Sequence, residues 1–370
     1  MKTYPLKSIS IKESTQLQFR LIDEVTKEFR GSEILTRGDL GVVKGLNKPI
    51  TTYKVENVIA NFFNTEKAML LRGTGTMAIR MALYSVVKSG EKILVHKAPI
   101  YPTTITSIDI LGLKIVEADF NNIKEIKKVL KENKDIKAAI IQYTRQQPND
   151  CYEMKDVIQA IKEINKDIVV ITDDNYAVMK VPYIGVEGGA DLSCFSLFKI
   201  LGPEGVGCIV GKEKYIDKLI QTNYSGGLQV QGHEAKDSLR GLIYAPVMLA
   251  LQSEVSDNLV KRLLNKEVDG VKNAFIANAQ SKVILVELDE EIADEVLIEA
   301  EKLGAAPNPV GAESKYEFVP MFYRLSGTFR NYDPSLAKKM IRINPLRSGE
   351  ETVLRILDES IKAVKNIDMN

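Results

Sequence analysis

Four short stretches hold residue types whose spacing could support a shared chemistry. The first is DLSCFSLFKILGPEGVGCIVG, residues 191–211, where two apolar runs (192–198 and 206–210) flank Lys199 and a Gly-Pro-Glu-Gly-Val-Gly turn. Each run is short and bounded by Gly or Pro, which predicts two buried strands. Lys199 then stands where a core strand ends. An amine in an apolar, crowded site loses proton affinity, and a neutral amine can form a Schiff base. On this stretch alone a lysine that snorkels into water is the better reading.

The second stretch, Arg72 to Ala78 (RGTGTMA), follows an apolar run and opens a helical one. Backbone N–H groups at a helix start hold phosphate, and glycine lets the anion come close. A Walker loop is excluded because no Gly-Lys-Ser/Thr ending is present. The Gly73-x-Gly75-x-x-Ala78 pattern meets the dinucleotide fingerprint, but the next strand ends Val95-His96-Lys97-Ala98, without the acid that holds the ribose. A smaller cofactor phosphate on Thr74, Gly75 and Thr76 remains, against an ordinary glycine-rich turn. The third stretch, APIYPT (98–103), sets Tyr101 between two prolines, a constrained place for a ring lying on something planar. By itself it reads better as a surface turn. The fourth, TDDNYA (172–177), puts carboxylates at the end of an apolar run, costly unless a partner awaits them. A protonated pyridine nitrogen is one such partner. A turn-forming or helix-capping aspartate is the plain alternative.

These stretches lie in a regular alternation. Strands are predicted at 68–71, 92–95, 114–118, 136–143 and 168–172. Helices are predicted between and around them at 13–29, 53–63, 77–87, 103–111, 123–132 and 157–164. The strand segments are continuously apolar, so the fold class is α/β, a mostly parallel sheet covered on both faces. Ligands bind beyond the carboxyl ends of such strands, where the four stretches fall. From 213 the pattern runs helix (213–221), loop (NYSGGLQVQG) and long helix (235–264). A looser region follows, with strands at 282–288, 319–325 and 341–344 and helices at 292–303 and 350–364. This reads as a smaller C-terminal α+β domain. The expected division is an N-terminal helix and arm (1–50), a large domain (51–255) and a small domain (256–370).

A chain of 370 residues, 45% hydrophobic, can fill these cores, and a net charge of +1 gives no reason to expect nucleic acid or an anionic membrane as partner. No apolar run is long enough to cross a bilayer, and MKTYPLKSISIKEST carries no signal-peptide core, so the expected location is cytoplasmic. Three cysteines, two of them inside apolar strands, fit a reducing compartment, and two histidines without paired Cys argue against zinc.

In order and spacing, a phosphate cradle, a stacking tyrosine, a strand-end Asp and then a strand-end Lys resemble the fold type I pyridoxal-phosphate-dependent enzymes. SLFKILGPEGVGCIVG is similar to the class V aminotransferase pattern, in which the Schiff-base lysine precedes Gly-Pro-x-Gly-x-Gly. DDNY is similar to the family's Asp-x-x-aromatic or Asp-x-x-Gln element, and the interval from Asp173 to Lys199 also suits the cystathionine synthase and lyase group. The resemblance covers residues 67–211 best. It implies a seven-stranded large domain of the aspartate aminotransferase type and pyridoxal 5'-phosphate as cofactor. Lys199 would be the linking amine and proton shuttle. Asp173 would pair with the pyridine nitrogen, with Asp174 as the alternative. Tyr176 would sit near the ring hydroxyl and Tyr101 against the ring, with Gly75, Thr76 and Ser196 on the phosphate. MIRINPLRSGEE resembles the strand whose arginine grips a substrate carboxylate, which designates Arg342, with Arg347 in reserve. Phe198 departs from the pattern, since class V members often carry His before the lysine, and TRQQPND (144–150) lacks the usual Asn-Pro, leaving Arg145 as a further contact. The implied protein is a homodimeric class V-like aminotransferase acting on a small amino acid. A carbon–sulfur lyase is the second choice, a racemase the third, and a sensor or binding protein of the same fold the non-enzymatic alternative.

Overall fold

The continuously apolar runs become a seven-stranded sheet of β1 (Lys67–Arg72), β2 (Lys92–His96), β3 (Lys114–Ala118), β4 (Ile136–Gln142), β5 (Val169–Asp173), β6 (Leu192–Ser196) and β7 (Val206–Gly211). This computed structural model describes residues 2–145, 147–277 and 282–367. The spatial order is β1-β7-β6-β5-β4-β2-β3. β7 runs antiparallel to β1 and β6, and the other pairs are parallel. Every residue of β5, β6 and β7 is buried, which is why these segments show no polar alternation. On one face the helices Thr74–Val86 and Glu213–Thr222 set Ala78, Ala82, Leu83, Ile216 and Leu219 into a core with Met69, Ile171 and Ile209.

This topology decides where chemistry can occur. β1 and β6 both oppose β7, so they run the same way as β5 and β4. Their carboxyl ends share one edge, and the predicted motifs follow those ends. The arm that precedes the sheet is firmly tied. Asp39 accepts from the N–H groups of Ile50 (2.7 Å) and Thr51 (2.9 Å) at the start of helix Ile50–Phe62. Lys48 and Glu56 form a buried ion pair, and Glu56 also accepts from Leu70 N of β1.

The chain divides into two units, Lys12–Thr144 with Cys151–Pro246, and Met1–Ile11 with Arg145–Asp150 and Val247–Asn370. The second holds an antiparallel sheet of β8 (Val271–Ile276), β9 (Ile284–Leu288), β10 (Met321–Arg324) and β11 (Met340–Asn344), ordered β10-β11-β9-β8. Helices Ala293–Lys302 and Glu350–Ile367 cover it through Val296, Ala300, Val353 and Leu357. The sequence reading missed β8, whose run VKNAFI is broken by Lys272 and Asn273 and keeps only a partial alternation. A second correction concerns β6. The strand expected to reach Phe198 stops at Ser196, and Leu197 N donates to Val206 O as the chain turns into β7. Lys199 therefore sits on a 3₁₀ turn (Phe198–Ile200), one step beyond the strand.

Candidate active site

The turn that carries Lys199 is braced against the helix that follows β1. Gly205 O accepts from the N–H groups of Gly73 (2.7 Å) and Thr74 (3.2 Å), and Met77 N closes on Gly73 O (3.1 Å). Gly207 is packed so closely on this helix start that a Cβ there would lie 2.2 Å from Thr74 O. With those donors satisfied, the N–H groups of Gly75 and Thr76 keep no acceptor among the described residues. These two donors point outward from the positive end of a 13-residue helix. Ser196, at the end of β6, is 2% exposed, and its Oγ has no hydrogen-bond partner among the described residues. A buried hydroxyl without a partner is costly. These donors at one sheet edge suit an anion.

β5 ends at Asp173, and Asp174 follows it directly; their carboxyls take different partners. Asp173 is 6% exposed, and its Oδ1 accepts from both Asn175 N (3.1 Å) and Asn175 Nδ2 (2.7 Å). Its Oδ2 takes no hydrogen bond among the described residues. Burial pushes this carboxyl above the usual range, opposed by the charge of Lys199 and by the Asn175 bonds. Asp174 instead turns its Oδ2 to Thr172 Oγ1 (2.8 Å) and Gly185 N (3.3 Å), on the side where Thr172 meets Ser193. Burial pushes Asp174 up to about 7, against the hydrogen bonds from Ser193 and Thr172.

Asp174 therefore weakens the fold as pH rises. Its folded carboxyl binds a proton more tightly than an unfolded one, so its stabilising share is full below the unfolded value and lost through about pH 7. Asp174→Asn keeps an acceptor for Thr172 and Gly185 without the charge. It is expected to stabilise the protein by about 2–4 kcal/mol at pH 8, a gain that vanishes below about pH 4. Urea unfolding at both ends of that range measures this.

Lys199 Nζ lies 4.1 Å from the centroid of the Tyr176 ring, and Lys180 Nζ lies 5.6 Å from the same centroid. Tyr176 itself holds a left-handed backbone (φ 65°), rare for a bulky residue, so the loop over-determines its position. Tyr101 precedes helix Pro102–Ile110 and is 42% exposed. Thr76 Oγ1 donates to Thr103 Oγ1 of that helix (3.1 Å), which joins the second and third motifs.

Arg342 belongs to the other unit, on β11 opposite Tyr323. Its guanidinium lies 4.0 Å from the Tyr323 ring centroid, and Nε donates to Arg324 O (2.6 Å). Arg347 donates to Gln252 Oε1 (2.8 Å), and Gln252 in turn donates to Glu313 (2.8 Å), so Arg347 is enclosed in a polar cluster. Arg145 is buried and donates to Tyr4 O, an anchoring contact.

Sequence reading missed Asn175, the residue that bonds Asp173. The signal was present: an amide two residues past a strand-end acid can both donate and accept. His96 accepts from Phe120 N through Nδ1 and packs on Phe120 and Tyr152. No group of three His, Cys, Asp or Glu able to hold a metal occurs among the described residues, and no helix there is long and apolar enough to cross a membrane.

Comparison with known proteins gives the family. Residues 14–240 match the aminotransferase class-V family, and residues 257–357 match the YhfS-like C-terminal domain. The YhfS protein of Escherichia coli K12 is 52% identical over 364 residues, spanning 98% of this chain and 100% of that one. The crystal structure of the pyridoxal-5'-phosphate-dependent protein YhfS from E. coli superposes with a TM-score of 0.96 over the same shares. A carbon–sulfur lyase involved in aluminium resistance from Clostridium novyi NT shares the fold, at a TM-score of 0.72 and 19% identity over 96% of this chain and 91% of that one. A cysteine desulfurase of Wigglesworthia glossinidia brevipalpis is 26% identical over 189 residues, 47% of this chain and 45% of the other. This chain is a member of the class-V aminotransferase family, within the fold type I pyridoxal-phosphate-dependent proteins.

Proposed function

We propose that this protein is a pyridoxal-phosphate-dependent aminotransferase of a small amino acid, with Lys199 as the amine that links to the cofactor. One observation carries the reading: unsatisfied donors at Gly75, Thr76 and Ser196 share a sheet edge with a buried carboxylate whose Oδ2 is open and with the Lys199 amine. A phosphate monoester with a basic aromatic nitrogen and an aldehyde fits that set. Bound there, pyridoxal phosphate supplies an aldehyde for amines and a cationic ring that accepts the electron pair left when a bond at the substrate α-carbon breaks.

The chain's own residues do the rest. The helix start at Thr74, Gly75 and Thr76, with Ser196 Oγ, holds the phosphate. Asp173 Oδ2 holds a proton on the ring nitrogen, because a buried carboxylate favours a cation beside it. Asp174 is set aside for this role, since its carboxyl is turned to Thr172 and Gly185. Tyr101 would cover the ring, and Tyr176 would face the ring hydroxyl. Lys199 Nζ would link to the cofactor aldehyde and would hold and return the proton at the substrate α-carbon. Arg342 grips the substrate carboxylate by a two-point fork.

Arg342→Ala is expected to lower kcat/KM by about 100-fold, mainly through KM, as loss of a charged hydrogen-bonded pair does. Arg347→Ala, which breaks the bond to Gln252, is expected to lower stability more than kcat/KM. Steady-state kinetics and urea unfolding on both variants separate the two arginines.

A second reading is elimination at a carbon–sulfur bond, favoured by likeness to the lyase and the desulfurase. A panel of L- and D-amino acids, with and without a keto-acid acceptor, separates the possibilities. Transfer consumes acceptor mole for mole. Elimination releases ammonia without it, and racemisation changes only optical rotation. An enzyme that turns over none of the panel contradicts both leading readings.

The arm and the 223–232 loop are joined by Gly41 N to Gln231 Oε1 (2.7 Å) and Gly232 N to Asp39 O (3.0 Å). Between them they expose Leu35, Leu40, Tyr224 and Leu228, and this face is read as the seat of a second copy, as in a homodimer. A single-chain mass by light scattering contradicts it. The cytoplasm is the proposed location, on three cysteines that are all free.

A further inference from the structure

We infer that Asn175 is the positioning residue that keeps the Asp173 carboxylate ionised and aimed, an inference that rests on the cofactor reading above. Asn175 is a buried residue whose polar groups are all engaged. Its backbone N–H and its Nδ2 converge on the same oxygen, Asp173 Oδ1. Its Oδ1 accepts from Ser196 N (3.0 Å), and its backbone carbonyl accepts from Thr144 Oγ1 (3.1 Å).

The amide orientation has one solution. Ser196 N–H can only donate, and an ionised Asp173 oxygen can only accept, so Oδ1 must face the first and Nδ2 the second. Two donors on Oδ1 fix the rotation of the carboxylate and leave Oδ2 for a ligand. They also oppose the burial that pushes Asp173 toward its neutral form. The remaining face of the amide is covered by Gly75, where a Cβ would lie 2.6 Å from Nδ2 and 2.7 Å from Oδ1. One side chain thus registers the end of β5 against the end of β6 and against the helix start with the unsatisfied N–H groups. A shift of Asn175 moves the carboxylate and the phosphate donors together.

The consequence is electrostatic and can be read on the ring nitrogen. Asn175→Ala removes a hydrogen bond to a charged group, and Asn175→Leu, close to it in size, removes the same donor 2.7 Å from Asp173 Oδ1 without adding a charge. Either change leaves the Asp173 carboxylate more basic, so it competes better with the ring nitrogen for the proton between them. The experiment loads wild type and both variants with pyridoxal phosphate carrying ¹⁵N in the ring, and follows the nitrogen shift between about pH 6 and 9.

The wild-type ring nitrogen is expected to stay protonated throughout. In the variants its midpoint should fall by about one to two pH units, the size of one charge-assisted bond. If Asn175→Ala does not fold, the uncharged Asn175→Leu supplies the same measurement. A folded variant whose ring nitrogen titrates as in wild type overturns the assignment. A wild-type protein that binds no labelled cofactor, or holds it unprotonated, instead refutes the cofactor reading, so the two failures are distinct.

Discussion

Lys199→Ala is expected to lower turnover of the preferred amino acid by at least about 10³-fold, because two functions are lost with one amine. On the proposed function the residue would be both the linking nucleophile and the carrier of the α-proton, and groups that act as one unit lose most of their effect on first removal. The geometry explains why no neighbour substitutes for it. Lys199 sits on a short 3₁₀ turn braced by Leu197 O, which accepts from Ile200 N (3.0 Å) and Gly202 N (2.9 Å). Its amine is held against Tyr176, whose backbone is itself constrained. Lys180 faces the same ring from farther away and belongs to a different loop. Lys199→Arg keeps the charge but not a condensing amine, so it is expected to lose as much activity as the alanine variant. Single-turnover measurements check both. A Lys199→Arg enzyme with near wild-type rates would show that charge alone is needed there.

Asp173→Asn is expected to cost about 10²–10³-fold in kcat with a smaller change in cofactor affinity. The substitution preserves shape and removes the negative charge that, on the proposed function, would hold a proton on the ring nitrogen, so electron withdrawal would weaken while the phosphate contacts stay. Asp174→Asn, one residue away, should leave kcat nearly unchanged, since that carboxyl bonds Thr172 and Gly185. The contrast between the neighbours is the informative quantity. Equal losses would mean that burial of charge in general, and not Asp173 in particular, governs the site.

Much of this architecture was legible before any coordinates. The large-domain strands are buried on both faces, and two-sided burial leaves continuous apolar runs that stand out from amphipathic helices. The motifs were legible because parallel strands with helical crossovers deliver their carboxyl ends to one edge, so strand-end residues distant in sequence meet. What was hidden depended on contacts that no local pattern records. Strand β8 is half-buried and broken by Lys272 and Asn273, so its alternation was lost. The end of β6 is set by the Leu197 bond to Val206 across a hairpin. The separation of Asp173 from Asp174 required knowing which partners each carboxyl takes. Asn175 was hidden for the same reason: its partners Ser196 and Gly75 come from other elements, and only the fold brings them to its amide.

Reductive trapping addresses the central claim most directly. The purified protein, saturated with pyridoxal phosphate, is treated with borohydride, digested and mapped by mass spectrometry. The proposed function requires a phosphopyridoxyl group on the peptide that contains Lys199, and its loss from that peptide in Lys199→Arg. A label on another lysine, or no label at all in the saturated wild-type protein, would contradict the account.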